Sequence, residues 1–119
     1  MSHTFTVKCQ ARDPIAISAA CQRLGLAAPV EGTAQLFSGE ERGLIVQFPG
    51  WNYPAVIDVV SGDIRSDTYE GRWGDAVHLD RFLQMYAVER TKIEARRKGH
   101  AVSETTLEDG SIRLQIATA

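Results

Sequence analysis

Two short runs, GLIVQF (43–48) and AVIDVV (55–60), constrain the fold more than any other stretch of the chain. Both are rich in β-branched residues and bounded by glycine or proline, so both read as strands. A chain that holds them must build a sheet and cover at least one of its faces. The flanking segments supply the cover. Asp13-Pro14 is a helix start, with aspartate as N-cap and proline at the first helical position, where its missing N–H costs nothing. The helix is expected to end near Leu24, with Gly25 as the residue that stops it. Ile17, Ala20, Cys21 and Leu24 recur at helical spacing and should face inward. A second, longer helix is expected from about Leu79 to Lys98, stopped by Gly99.

The remaining elements read as strands. TFTVKCQ (4–10) alternates, with Phe5, Val7 and Cys9 on one side. AQLFS is a weak strand candidate. VVSGDIR reads as a tight hairpin in which Gly62 supplies a positive φ, leading into a polar strand, IRSDTYEG, expected at an edge or facing solvent. The chain closes with a hairpin, AVSETTLE and SIRLQIA, joined at Asp109-Gly110, with Ile112, Leu114 and Ile116 turned inward. The order β-α-β-β-β-β-α-β-β points to an α+β class: a largely antiparallel sheet of five to seven strands with two helices packed on one face, residues 1–119 forming a single domain.

Composition narrows the function. A net charge of −2 leaves no global field to draw the chain to nucleic acid or to an anionic membrane. No apolar run approaches the ~18 residues of a membrane span, and MSHTFTVKCQ lacks the apolar stretch of a signal peptide. The expectation is a cytoplasmic protein whose two cysteines, Cys9 and Cys21, stay reduced as small core residues. Neither has a CxxC or CxxH partner, and the three histidines, His3, His78 and His100, lack metal-site spacing, so no metal or cofactor is expected. A cluster of Asp75, His78 and His3 is conceivable in three dimensions. No phosphate loop, nucleophile elbow or carboxylate-pair motif appears, and no catalytic residue is assigned.

Several positions make the sequence similar to a known family. Met1-Ser2-His3 with Val7-Lys8, Trp73-Gly74, Tyr86-Ala87, Ala95-Arg96 with Gly99, and Asp109 to Leu114 together resemble the family named after conserved chloroplast open reading frame thirty-five. That family occurs in cyanobacteria, algal plastids and other bacteria. The middle segment PGWNYPAVID follows its proline, aromatic, strand pattern only loosely. The resemblance brings no catalytic residue, substrate or cofactor. It implies a protein partner, with ATPases of the AAA class as candidates because their genes are sometimes neighbours.

The charged run AVERTKIEARRKGH (87–100) holds five of the 13 lysines and arginines. Wound on a helix, its basic residues scatter around the axis, Glu89 and Glu94 interrupt them, and the last turn is where a helix dipole favours cations. Nucleic-acid binding along this helix is therefore disfavoured. Arg90 and Arg97 fall on the apolar stripe with Phe82, Leu83, Tyr86 and Ile93, and so must snorkel, pair with a sheet carboxylate such as Asp58, or line an anion pocket. Trp51 and Tyr53 in PGWNYP and Trp73 in GRWGD are loop aromatics that either plug the end of the sandwich or form a ledge for a partner or a second copy of the chain. Two readings follow. The first is a non-catalytic binding or adaptor domain acting through protein contacts, with a homodimer as one form. The second is a small-ligand binder or enzyme with a pocket at the helix–sheet edge built from Asp75, His78, Arg90 and Arg97.

Overall fold

A computed structural model describes residues 10–117 in full and residues 4–8 by backbone. The fold is α+β, with two helices and antiparallel sheets. In chain order the elements are β1 (Thr4–Lys8), α1 (Pro14–Arg23), β2 (Val30–Leu36), β3 (Gly39–Val46), β4 (Ala55–Asp58), β5 (Asp63–Asp67), α2 (Ala76–Arg97), β6 (Ala101–Thr106) and β7 (Ile112–Ala117). Five strands form one sheet in the order β1-β5-β4-β3-β2, while among the described residues β6 and β7 pair only with each other. The expected side-chain facing of Phe5, Val7 and Cys9, and any role of His3, fall outside the described residues.

The helices form where caps and apolar spacing agree. Asp13 Oδ1 accepts from the Ile15 and Ala16 amides at 3.0 and 3.4 Å, a cap worth about 1 kcal/mol. Ala16, Ile17, Ala20 and Cys21 are buried, and Gly25 follows the helix with φ 70°. The second helix is capped by Asp75, so it starts at Ala76, three residues before the expected Leu79. The two helices pack together over one face of the sheet. Their shared core joins Ile17 and Cys21 of α1, Val46, Ile57 and Ile64 of the sheet, and Phe82 of α2. Burial among these apolar groups pushes the Cys21 thiol up to about 11. The Tyr86 hydroxyl ties the helices further, accepting from the Arg12 and Asp13 amides at 3.1 and 3.2 Å and donating to the Gln10 carbonyl at 3.3 Å.

The other face of the sheet is covered by the chain itself. Residues 30–46 form a long hairpin whose register sets Gly32 opposite Gly43. At that glycine pair the ribbon folds over, because a Cβ at Gly43 would lie 2.3 Å from the Ile57 carbonyl oxygen. The distal half of the hairpin then lies across β4 and β5. Ala34 and Leu36 bury Val56 in a second small core, Glu41 pairs with Arg65 at 2.9 Å, and Ser38 donates to Asp67 through its amide at 3.0 Å and its hydroxyl at 3.3 Å.

This fold-over explains a departure from the sequence reading. The polar strand β5 was expected at an edge or facing solvent, yet it runs between β1 and β4 and its Ser66 and Asp67 are 2% and 0% exposed. Its polarity serves the hairpin tip, which supplies hydrogen bonds that a sequence window cannot show. A second departure is the terminal hairpin. It does not extend the main sheet, and its turn is a five-residue loop in which Leu107 N donates to Ser111 O at 2.8 Å. Asp109 caps that loop through the Ser111 amide and hydroxyl, and these bonds hold its carboxyl below the usual range. A 22-residue helix spans about 33 Å, longer than strands of four to eight residues, so α2 overhangs the sheet and β6–β7 packs on the overhang.

Four charged side chains fix that hairpin. Arg23 of α1 grips Glu104 of β6 with both guanidinium nitrogens at 2.7 Å, and Lys92 of α2 stands 3.6 Å from both Glu104 and the buried Glu89. The Arg23 hydrogen bonds hold the Glu104 carboxyl below the usual glutamate range. A depressed carboxyl contributes stability that is present above its unfolded pKa of about 4.3 and is lost as pH falls through the folded value. The amide protection factors of β6 and β7 are therefore expected to fall below about pH 4 before those of the five-stranded sheet, and Glu104→Gln should cost about 1 kcal/mol at neutral pH. Equal protection of both sheets at every pH would show that the clamp does not hold the hairpin.

Candidate binding site

Two loops close the end of the molecule at which α2 begins, and they hold three of the candidate residues, Trp51, Tyr53 and Trp73, with Asp75 directly after the second. In the first, 49–54, the Trp51 amide donates to Phe48 O at 3.2 Å and turns the indole inward. Its Nε1–H donates to the Asp75 carbonyl at 3.0 Å, its ring sits 4.8 Å from Phe48, and Gly74 lies flat against it. Trp51 is thus the plug of the sandwich, 9% exposed. The second loop, 68–74, contains a single left-handed turn: Tyr69, Glu70 and Gly71 have φ of 48°, 53° and 93°. Thr68 O accepts from the Gly71 and Trp73 amides at 3.1 and 2.8 Å, and Tyr69 O accepts from Arg72 N at 3.0 Å. Two consecutive non-glycine residues in this region cost about 1–2 kcal/mol each, so the surrounding bonds must hold the turn. One of them links the loops, from Asn52 N to Trp73 O at 2.7 Å.

The alternation of β5 decides which way each loop residue points. Ile64 belongs to the helix-side core, while Arg65 and Asp67 bond to the folded-over hairpin. The loop inherits this division and presents two surfaces. On the hairpin side, Trp73 gathers an aromatic platform: Phe37 at 5.0 Å, Tyr53 at 5.6 Å and Tyr69 at 4.8 Å, with the Arg72 guanidinium 5.0 Å above the Tyr69 ring. Phe37, at the hairpin tip, is 48% exposed, while Tyr53, Tyr69 and Trp73 are half-buried. On the helix side lies an open, mainly apolar cleft of about 600 Å³, bordered by Trp51, Ser66, Thr68, Glu70, Asp75 and Leu79.

The second reading of the sequence required at least two of Asp75, His78, Arg90 and Arg97 to converge on one pocket, and no two of them line the same cleft. Asp75 caps α2 by accepting from Val77 N at 3.0 Å and borders the cleft. His78 lies in a separate recess with Leu24, Leu26 and Phe48. Arg90 is exposed further along α2, beside Tyr86 and Thr91, and the exposed Arg97 pairs with Glu94 at 3.2 Å. Neither arginine meets Asp58, whose carboxylate closes a local turn onto the Val60 and Ser61 amides at 2.9 and 3.3 Å, bonds that lower its pKa. Positions 90 and 97 reach water, although Ile93 on the same stripe packs against the main core.

Phe37, Tyr69 and Glu70 escaped the sequence reading. A large apolar residue beside Ser38-Gly39 at a strand end is the trace that Phe37 leaves, but nothing local places it against Trp73, 36 positions away. Among the described residues no group of three or more His, Cys, Asp or Glu side chains is arranged to hold a metal, and no helix is long and apolar enough to cross a membrane. Compared with family models, with curated proteins and with solved structures, the chain matches none.

Proposed function

We propose that this chain is a small non-catalytic binding domain that docks another protein on the aromatic platform. The observation that carries the reading is the exposure of Phe37 at the rim of an aromatic group already fixed by the rest of the fold. Aromatic side chains and arginine dominate the energetics of protein interfaces because they bury large areas at little entropic cost, and Arg72 stacked on Tyr69 adds a directional donor at the same rim. The platform needs no rearrangement to be used, since Trp73 is held by backbone bonds on both sides.

Membership in the family named after conserved chloroplast open reading frame thirty-five is part of this proposal. It is supported by the structural work that the motif residues do: Gly74 underlies Trp51, Tyr86 joins the helices and Asp109 caps the last loop. Cytoplasmic residence is proposed with it, in keeping with a Cys21 thiol that burial holds protonated. A partner ATPase of the AAA class and a homodimer are the two forms of the reading that one experiment separates. Benzoyl-phenylalanine at position 37 preserves an aromatic ring there, and light should couple it to one discrete protein, whereas the same probe at the exposed Ser18 on α1 should not. An adduct of twice the chain mass assigns a homodimer. Phe37→Ala should weaken the identified complex at least tenfold, about 1.4 kcal/mol. Equal adducts from both positions, or none from position 37, would overturn the reading.

A further inference from the structure

The geometry points to the helix-side cleft as a socket for a basic side chain of the partner segment, a lysine or arginine whose alkyl stem lies on the apolar floor and whose cation meets Glu70 and Asp75. The inference rests on the binding-domain reading and extends it to a surface on the other side of the same loop. Three observations carry it. The cleft is large enough, at about 600 Å³, to take a long side chain with part of its backbone, and its lining is mainly apolar, with Trp51 and Leu79 in it. Its only charged borders among the described residues are Glu70 and Asp75, both acidic, and no lysine, arginine or histidine lines it. Neither carboxylate has an ion-pair partner among the described residues, although the chain is rich in paired carboxylates elsewhere: Glu41, Glu89, Glu94 and Glu104 all have one.

Charge complementarity selects the occupant. An apolar trough with two carboxylates at its rim, neither in an ion pair among the described residues, favours an amphipathic cation over an anion. Lysine and arginine fit both halves of that description, since their stems cover apolar surface while the charged head stays at the polar edge. Trp51 adds the aromatic surface that favours a nearby cation. The Glu70 backbone is held in the left-handed turn, so the carboxylate is carried on a fixed loop. Asp75 is held by its capping bond to Val77 N. A partner segment that lays an apolar residue against Phe37 and passes around residues 68–74 would bring a basic residue to the cleft.

The test uses the full chain and short blocked peptides, acetyl-Gly-Lys-Gly-amide and its arginine counterpart, followed by nitrogen–proton correlation spectra. The Trp51 indole N–H, bonded to Asp75 O, is the reporter. Lysine or arginine peptide should shift it saturably at millimolar concentration, together with the amides of Glu70 and Leu79. The norleucine peptide, with the same stem and no charge, and the glutamate peptide should bind at least tenfold more weakly. Glu70→Gln with Asp75→Asn should reduce lysine-peptide affinity about tenfold while the melting temperature holds, because asparagine is also a good N-cap. Norleucine binding as well as lysine, or the double variant binding unchanged, would overturn the proposal. Butylammonium binding more tightly than the peptides would overturn the assignment to a protein segment and give the cleft to a free amine. These titrations do not involve Phe37, so their failure leaves the cross-linking result standing, and failure of the cross-link leaves theirs.

Discussion

Gly43→Ala is expected to lower the unfolding free energy by about 3 kcal/mol, the upper end of the usual cost of overpacking, while Gly32→Ala changes it by less than about 1 kcal/mol. The two glycines face each other in the register of β2 and β3, so composition and strand propensity are the same at both. Their surroundings differ. A Cβ at Gly43 would meet the Ile57 carbonyl oxygen at 2.3 Å and its carbon at 2.9 Å, and backbone in the middle of a core strand cannot give way. A Cβ at Gly32 would meet only Ile45 Cδ1 at 3.7 Å, an ordinary contact. The damage should extend past the clash itself. If β3 cannot fold over β4, Leu36 leaves Val56, and Ser38 leaves Asp67, a carboxylate that is 0% exposed. Urea denaturation of the two variants measures the difference, and amide exchange in residues 33–42 should rise in Gly43→Ala alone. Equal destabilisation by the two substitutions would show that the fold-over does not depend on this close approach.

The same fold-over separates what the sequence reveals from what it conceals. Asp13-Pro14 with Gly25, Gly99, and the apolar runs of β3 and β4 are local signals, and each describes its element to within a few residues. The placement of β5 is not local. Serine and aspartate in an internal strand look like solvent-facing residues until the partner 29 positions away, Ser38, is brought over them. The clamp on the last hairpin spans 81 positions from Arg23 to Glu104, and pairing at that range leaves no periodicity to detect. The site shows the same division. Trp51 and Trp73 were recognisable as loop aromatics, because residue type alone carries that information, whereas Asp75 was not recognised as the cap of α2. The division of the two tryptophans between a buried plug and a platform depends on which face of the sheet each loop packs on, a property of the tertiary fold. Of the fates left open for Arg90 and Arg97, the pairing with Asp58 is the one that fails, because that carboxylate closes its own local turn, which helical spacing on α2 does not reveal.

Gly74→Ala is expected to cost about 3 kcal/mol as well, and to damage both surfaces of the site at once. The Trp51 ring is confined on three sides, by Phe48 at 4.8 Å, by the bond from Nε1 to Asp75 O at 3.0 Å, and by Gly74, where a Cβ would stand 2.7–2.8 Å from the centre of the indole. The atoms it would strike are Cγ, Cδ2 and Cε2, the rigid part of the side chain, so the whole ring must move. Moving it strains the packing against Phe48, at about 1–3 kcal/mol, and strips the buried indole N–H of its acceptor, at about 1–3 kcal/mol. Some relaxation makes the sum smaller than the parts. The cause can be isolated with a double-mutant cycle. In a Trp51→Phe background the smaller ring leaves room and has no N–H to lose, so Gly74→Ala should cost less than half as much there. A cost that stays the same in both backgrounds would place the effect in the backbone of residues 73–75 and not in the indole. The functional consequence is specific too. Trp51 floors the cleft and the Gly74 segment follows directly on Trp73, so Gly74→Ala should abolish lysine-peptide binding and weaken the cross-link from position 37 together. Glu70→Gln, which touches neither ring, should affect only the first. Loss of one function without the other in Gly74→Ala would mean that the two surfaces are not held by the same pair of loops.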